Sequence, residues 1–136
     1  ISFYGNELKN LSENQKFIAT ILNEALIAGE KLKLSEELDL QNGIKVAKKS
    51  FEALIKEKSK NSQLIYLNNK GKGIRNFKFN KNITFVFGDY IGMPRKTEKL
   101  LERLGAKKVN VGPKMIFASH CIIIVNNELD RINQKL

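Results

Sequence analysis

Soft metal ligands and ready nucleophiles are nearly missing from this chain: its 136 residues hold one cysteine, Cys121, and one histidine, His120. A lone cysteine excludes an internal disulfide and suits a reducing, cytoplasmic setting. One cysteine and one histidine cannot build the four-ligand set of a zinc site, so no metal is expected. No apolar run approaches the ~20 residues of a membrane span; the longest, Cys121 to Val125, has the length of a core segment. No Gly-x-Gly-x-x-Gly follows any strand candidate, which excludes a dinucleotide fingerprint. Acidic residues are scarce too. Lys and Arg number 24 against 14 Asp and Glu, a net charge of +10, with a pI near 9.7. That surplus favours a polyanionic partner. The competing explanation is a composition rich in Lys, Asn and Ile, set by coding bias or by adaptation to heat.

An apolar fraction of 42% and a mean hydropathy of -0.31 describe one soluble domain large enough for a real core. The opening Ile1-Ser-Phe-Tyr-Gly5 has no signal-peptide pattern and no initiating Met, so the natural amino terminus is expected to lie upstream.

Ile1 to Tyr4 is β-prone and stops at Gly5. Ser12-Glu-Asn-Gln15 has the form of a capping box, and Phe17, Ile18, Ile21, Leu22, Ala25 and Leu26 then recur at helical spacing as far as Gly29. Residues 31–42 read as a loop with room for one helical turn. Ile44, Ala47, Phe51, Leu54 and Ile55 fit one face of a helix that frays over residues 56–60, with Lys45, Lys48 and Lys49 on its exposed side. Gln63 to Leu67 predicts a buried strand, residues 68–73 a turn, and Phe77 to Phe79 a short edge strand or an extended arm.

The most informative region is Ile83 to Leu129. Ile83-Thr-Phe-Val-Phe87 predicts a strand that runs into Gly88. Lys96 to Leu104 predicts an amphipathic helix capped by Gly105, and Lys107 to Val111 a strand that runs into Gly112. A last helix opens at Ala118 or Ser119 and continues to about Asn133. Helices alternating with strands predict an α/β layer fold with a mostly parallel sheet flanked by helices. In such sheets ligands sit outside the carboxyl ends of the strands, so Gly88, Asp89, Gly92, Gly112 and Pro113 are expected to lie near one another. Apolar residues cover more of the last helix (Ile122, Ile123, Val125, Leu129, Ile132) than one core-facing stripe needs; a twofold mate would account for the excess.

Three stretches carry a family resemblance: Phe3-Tyr-Gly-Asn-Glu-Leu-Lys-Asn-Leu-Ser12; Phe85-Val-Phe-Gly-Asp-Tyr-Ile-Gly92; and Val109-Asn-Val-Gly-Pro-Lys-Met-Ile-Phe-Ala-Ser-His-Cys121 with Asn127-Glu-Leu-Asp130. In this order and spacing the chain resembles the SPOUT class of methyltransferases, and within it the archaeal-type tRNA pseudouridine-54 N1-methyltransferase family. The resemblance implies a trefoil-knotted fold, a homodimer through the carboxyl-terminal helix, tRNA as partner and S-adenosylmethionine as cofactor. It implies that Leu67, Gly88, Asn110, Val111, Gly112, Pro113, Lys114, Met115 and Cys121 line the cofactor slot. The family has about one further strand-and-helix unit ahead of the position of Ile1, so the single domain over residues 1–136 is expected to lack an amino-terminal segment. Tyr90 stands where the family has His, and Gly43-Ile44 is followed by Lys45-Val-Ala-Lys48 where the family carries an arginine-bearing stretch.

Among chemical candidates, Asp89 follows a buried strand at a glycine loop. It is the catalytic candidate, by stabilising a sulfonium or orienting a proton; capping or bonding the loop's own N–H groups is the competing role. His120 reads as a buried, hydrogen-bonded residue beside an apolar run. Cys121 reads as a small buried contact whose backbone meets the cofactor. Lys70, Lys72 and Arg75, with Lys48, are candidates for RNA phosphates. The expected reaction is methyl transfer from S-adenosylmethionine to N1 of pseudouridine in the T-loop. The alternatives are another RNA base, a ribose or a protein target, or an RNA-binding module without catalysis.

Overall fold

The computed structural model describes residues 1–8, 12–40, 42–89 and 91–133. Lys9, Asn10 and Leu11 of the first resemblance stretch, and Tyr90, lie outside the described residues. Two compact units emerge, Ile1–Phe51 and Glu52–Leu136.

In the amino-terminal unit, β1 (Ser2–Phe3), β2 (Glu37–Asp39) and β3 (Ile44–Ala47) form an antiparallel sheet in the order β1-β3-β2. The helix α1 (Gln15–Glu30) packs on β3. Asn14 caps α1, accepting from the Lys16 N–H at 2.9 Å, while Ser12 Oγ accepts from the Asn14 N–H. The Ser12–Gln15 capping box is thereby replaced by a cap two residues further on. Residues 31–42 hold β2, and the predicted helix over 44–55 splits. Its first part is β3, where Ile44 and Val46 are buried and Lys45 and Ala47 half-buried, a period of two. Its second part opens α2 (Phe51–Asn61), which stays helical through the lysines expected to fray it. The β2–β3 connection passes through Asn42 and Gly43, both at positive φ (51° and 78°), and Asn-Gly is the strongest short hairpin signal.

In the carboxyl-terminal unit, β4 (Gln63–Gly73) lies between β5 (Ile83–Val86) and β6 (Lys107–Asn110), all parallel. A central parallel strand is covered on both faces. Leu64 and Tyr66 join Ile55, Val86 and Leu101 in one core cluster. Ile65 joins Ile74, Val109 and Val125 in the other, with Phe77, Phe79 and Phe85 packed against it. Phe77–Phe79 is therefore the extended arm rather than an edge strand; its rings stand 5.0 Å apart and lead on to Phe85. Leu101 is fully buried on α3 (Arg95–Arg103). Leu101→Ala should cost about 2–5 kcal/mol, read as a lower denaturant midpoint, because the cavity cannot close around a rigid sheet.

Two backbone devices set the strand ends. The helix α3 stops at Gly105, φ +78°, where the Gly105 N–H donates to Glu102 O and the Ala106 N–H to Leu101 O. This paired closure returns the chain into β6. The strand β4 also slips register, since Leu67 and Lys72 both pair with Val109. Residues 68–71 therefore leave the sheet and return, which corrects the plain turn expected over 68–73. The last helix, α4 (Ala118–Asn133), presents Cys121, Val125 and Glu128 inward. Ile122 and Ile123 remain exposed.

Candidate functional site

The carboxyl ends of β4, β5 and β6 open into one cleft. Leu67, Gly88, Asp89, Asn110, Val111, Gly112, Lys114, Met115 and Cys121 all line it; of the slot residues named from the sequence, Pro113 does not. Asn68, Asn69, Phe87, Gly92, Met93, Glu98, Ile116 and Ala118 complete the wall. Glu98 and the two asparagines were hidden in sequence, one as a helix-surface charge and the others as a turn. No local signal could have placed Glu98 opposite Asn68, thirty residues away.

Gly88 is required by close approach. A Cβ there would meet the Gly92 carbonyl carbon at 2.8 Å and the Met93 nitrogen at 2.9 Å. The loop closes on Asp89, whose Oδ1 accepts from the Ile91 N–H at 2.8 Å and the Gly92 N–H at 3.1 Å. Asp89 thus does take the loop-bonding role weighed for it in sequence, and it stays solvent-exposed at the cleft.

The 68–71 excursion is held at both ends. Asn68 accepts from the Lys70 N–H and donates its amide to Glu98 at 3.0 Å. The Asn110 amide donates to Gly71 O. Beneath it lies a polar cluster. The Tyr66 hydroxyl reaches Glu102 at 3.1 Å and Glu98 at 3.3 Å, and Lys108 Nζ reaches the same carboxylates at 2.7 and 3.5 Å. The hydrogen bond from Lys108 holds the Glu102 carboxyl below its ordinary value of 4.5. The same bond pushes Lys108 up from 10.5, and burial pushes the Tyr66 phenol up from 10.0.

These shifts fix a pH window. A depressed carboxylate contributes stability that is present above its unfolded pKa and lost as pH falls through the folded one; raised Lys and Tyr groups contribute below their unfolded pKa and lose it as pH rises. Tm should therefore be flat from about pH 5 to 10 and fall on either side. Lys108→Met should make the acid limb shallower, since Glu102 loses the larger of the two bonds that depress it while Tyr66 keeps the other and Glu128 stays held down by Arg131 and Arg75. An acid limb identical to wild type would contradict this account of the cluster.

Burial pushes the Cys121 thiol up, and its Sγ faces the Ile116 carbonyl at 3.9 Å, so it stays a protonated contact. His120 is exposed, its ring 5.9 Å from Phe117, which overturns the buried reading. One step along the helix from Cys121 turns it off the core face. Lys70, Lys72 and Arg75 stand exposed on the segment that leaves the cleft. Lys48 belongs to the amino-terminal unit, after β3 rather than on a helix, with Nζ 3.4 Å from the Glu30 carbonyl. Lys45 lies on β3, 3.7 Å from Asp39 and over the Tyr4 ring.

A glycine-lined cleft at the carboxyl ends of three parallel strands stands where α/β proteins of open sheet type bind their ligands. Residues 1–134 match the family described as "Putative SAM-dependent RNA methyltransferase", SAM being S-adenosylmethionine, and the chain belongs to that family. Among its relatives is the tRNA (pseudouridine(54)-N(1))-methyltransferase of Methanococcus aeolicus, 38% identical over 142 residues, covering 99% of this chain and 68% of that one. The protein of the same name in Methanococcus maripaludis is 36% identical, covering 97% and 67%. A Photobacterium profundum protein named "Putative pseudouridine methyltransferase" is 37% identical, covering 96% of this chain and 66% of its own length. This chain thus spans about two thirds of the relatives it matches. The family resemblance drawn from the three sequence stretches is borne out.

Proposed function

We propose that the chain binds S-adenosylmethionine in the cleft and directs its methyl group to N1 of pseudouridine in the T-loop of tRNA. The observation that carries this reading is the convergence of the loops after β4, β5 and β6 with the start of α4 on one cleft, in a chain of this family. The wall suits the cofactor. It is apolar at Leu67, Phe87, Met93, Val111 and Ile116, and its charged groups are two carboxylates, Asp89 and Glu98, and one amine, Lys114. Asp89 places a carboxylate at the cleft that suits a sulfonium cation, Glu98 being paired with Lys108.

When bound, the cofactor supplies the electrophilic methyl for in-line displacement. The chain's own groups orient and exclude. Asn110, Val111, Gly112, Lys114 and Met115 would hold the cofactor, and Gly88 and Gly112 would leave room for close approach. Rate gain comes chiefly from holding nucleophile and methyl in line. Asp89, anchored through one oxygen, keeps its other oxygen to accept the N1 proton directly or through water. Cys121, protonated and buried, takes no covalent part.

The finer expectations of the class go with this reading: a trefoil knot through the β6–α4 region, cytoplasmic location, and a homodimer over the exposed Ile122 and Ile123 of α4. Lys70, Lys72 and Arg75, with Lys48, supply phosphate contacts. The test is incubation with methyl-labelled cofactor and a tRNA carrying pseudouridine at the T-loop. Label at that nucleoside is expected; stoichiometric cofactor binding without any transfer would overturn the reading.

A further inference from the structure

Glu128 is 4% exposed, on the inward face of α4, and is the one charged residue among the buried ones described. Arg75 Nε donates to its Oε1 at 3.0 Å; Arg131 donates Nε and Nη2 to its Oε2 at 2.9 and 2.6 Å. The two arginines come from different elements, the 3₁₀ turn Ile74–Asn76 and the last turns of α4. Burying a carboxylate is costly unless it is paired and hydrogen-bonded, and Arg131 alone would neutralise it. A second guanidinium leaves one positive charge in surplus. Arg75 is bound through Nε only, and its side chain is 79% exposed, Arg131's 41%.

The segment that carries Arg75 is basic, while on α4 the exposed Asp130 stands beside Arg131. From Lys58 to Gly88 the chain has seven basic residues and no acidic one. Both supporting segments also start at the cleft. The β4 excursion lines it with Asn68 and Asn69, then runs through Lys70 and Lys72 to Arg75. Along α4, Cys121 lines the cleft, and Glu128 follows seven residues later, about 10 Å along the axis and on the same face.

We propose that Arg75 and Arg131, anchored on the Glu128 carboxylate, form a binding site for a backbone phosphate of RNA flanking the nucleotide in the cleft, with Glu128 as the positioning residue. This rests on the RNA substrate proposed above. Guanidinium groups bind phosphate oxygens in paired, directional hydrogen bonds. Fixing both arginines beforehand removes most of the ordering cost of binding.

The test is tRNA binding across a salt series with wild type, Arg75→Lys and Glu128→Gln, with cofactor titration and Tm on each. Glu128→Gln raises the net charge by one, so charge alone predicts tighter RNA binding. The positioning role predicts the opposite, a loss of about five- to tenfold, with the salt slope shallower by roughly 0.7–1 and cofactor affinity unchanged. Arg75→Lys keeps the charge at an exposed position where folding is not at stake, and should weaken binding by a similar factor. Wild-type affinity in Arg75→Lys, or tighter binding by folded Glu128→Gln, would overturn the site while leaving the methyltransferase reading intact. A wild-type protein that ignores tRNA at low salt would instead remove that reading, and this site with it.

Discussion

Gly88→Ala should cut affinity for S-adenosylmethionine by at least about 100-fold, a loss near 3 kcal/mol, while the chain stays folded. The added methyl would collide with backbone: the Gly92 carbonyl carbon at 2.8 Å, the Met93 nitrogen at 2.9 Å and the Gly92 oxygen at 3.1 Å. No side chain can rotate away to make room, so residues 92 and 93 must move. Gly92 is itself fixed, at φ +102° and with its N–H bonded to Asp89. Relief therefore requires opening the loop that forms one wall of the cleft. Overpacking of this kind costs about 1–3 kcal/mol of stability, which a folded α/β unit of this size survives. Calorimetric titration, with a thermal melt on the same sample, separates the two effects. Wild-type affinity in the variant would mean that the Gly88–Met93 loop is not part of the binding wall.

Gly71→Ala should cost more stability than Gly88→Ala. Its Cβ would stand 2.5 Å from the Val109 nitrogen, 2.6 Å from the Lys108 carbonyl carbon and 2.7 Å from that of Val109. All three atoms belong to β6, where the returning end of β4 resumes pairing at Lys72 and Gly73. Room for the methyl can come only from separating the two strands. That also breaks the Asn110–Gly71 hydrogen bond and disturbs Val109, which is fully buried. A loss of about 3 kcal/mol or more follows, a fall in Tm of roughly 10 °C. Gly73→Ala is the matched control. Its Cβ would meet nothing within 4 Å, so its change should stay within about 0.5–1 kcal/mol. Equal melts for the two variants would contradict the close approach at Gly71.

Sequence carried the carboxyl-terminal unit well and the amino-terminal unit poorly, for reasons visible residue by residue. Ile83–Phe87 is a short, largely apolar run and Lys107–Val111 a short run with Val109 and Val111 in it, each followed by a glycine, and Lys96–Leu104 ends at a glycine cap; each signal is local. A parallel sheet then brings its strand ends together, so Gly88, Asp89, Gly92 and Gly112 line one cleft, while Pro113, expected with them, does not. Residues 44–55 failed because two periods overlap in them. Ile44, Ala47, Phe51, Leu54 and Ile55 suit a helix, whereas Ile44 and Val46 alone suit a strand. The Asn42-Gly43 pair before them is the deciding signal for a hairpin. The 68–73 stretch has the composition of a turn and behaves as one for four residues, but only the long-range partner Val109 could reveal that the strand resumes. His120 and Glu128 show the same limit from opposite sides. The apolar neighbours of His120 suggest burial, yet helix phase exposes it; nothing local to Glu128 marks it as buried, because one of its two arginines lies 53 residues away.

A crystal structure grown with S-adenosylmethionine at saturating concentration shows whether the cleft is the cofactor site. The account predicts the ligand between the Gly88–Met93 loop, the 110–115 segment and the 68–71 excursion, with its sulfonium nearer the Asp89 and Glu98 carboxylates than Lys114. A cleft without ligand under those conditions, or the ligand bound on another surface, would contradict it.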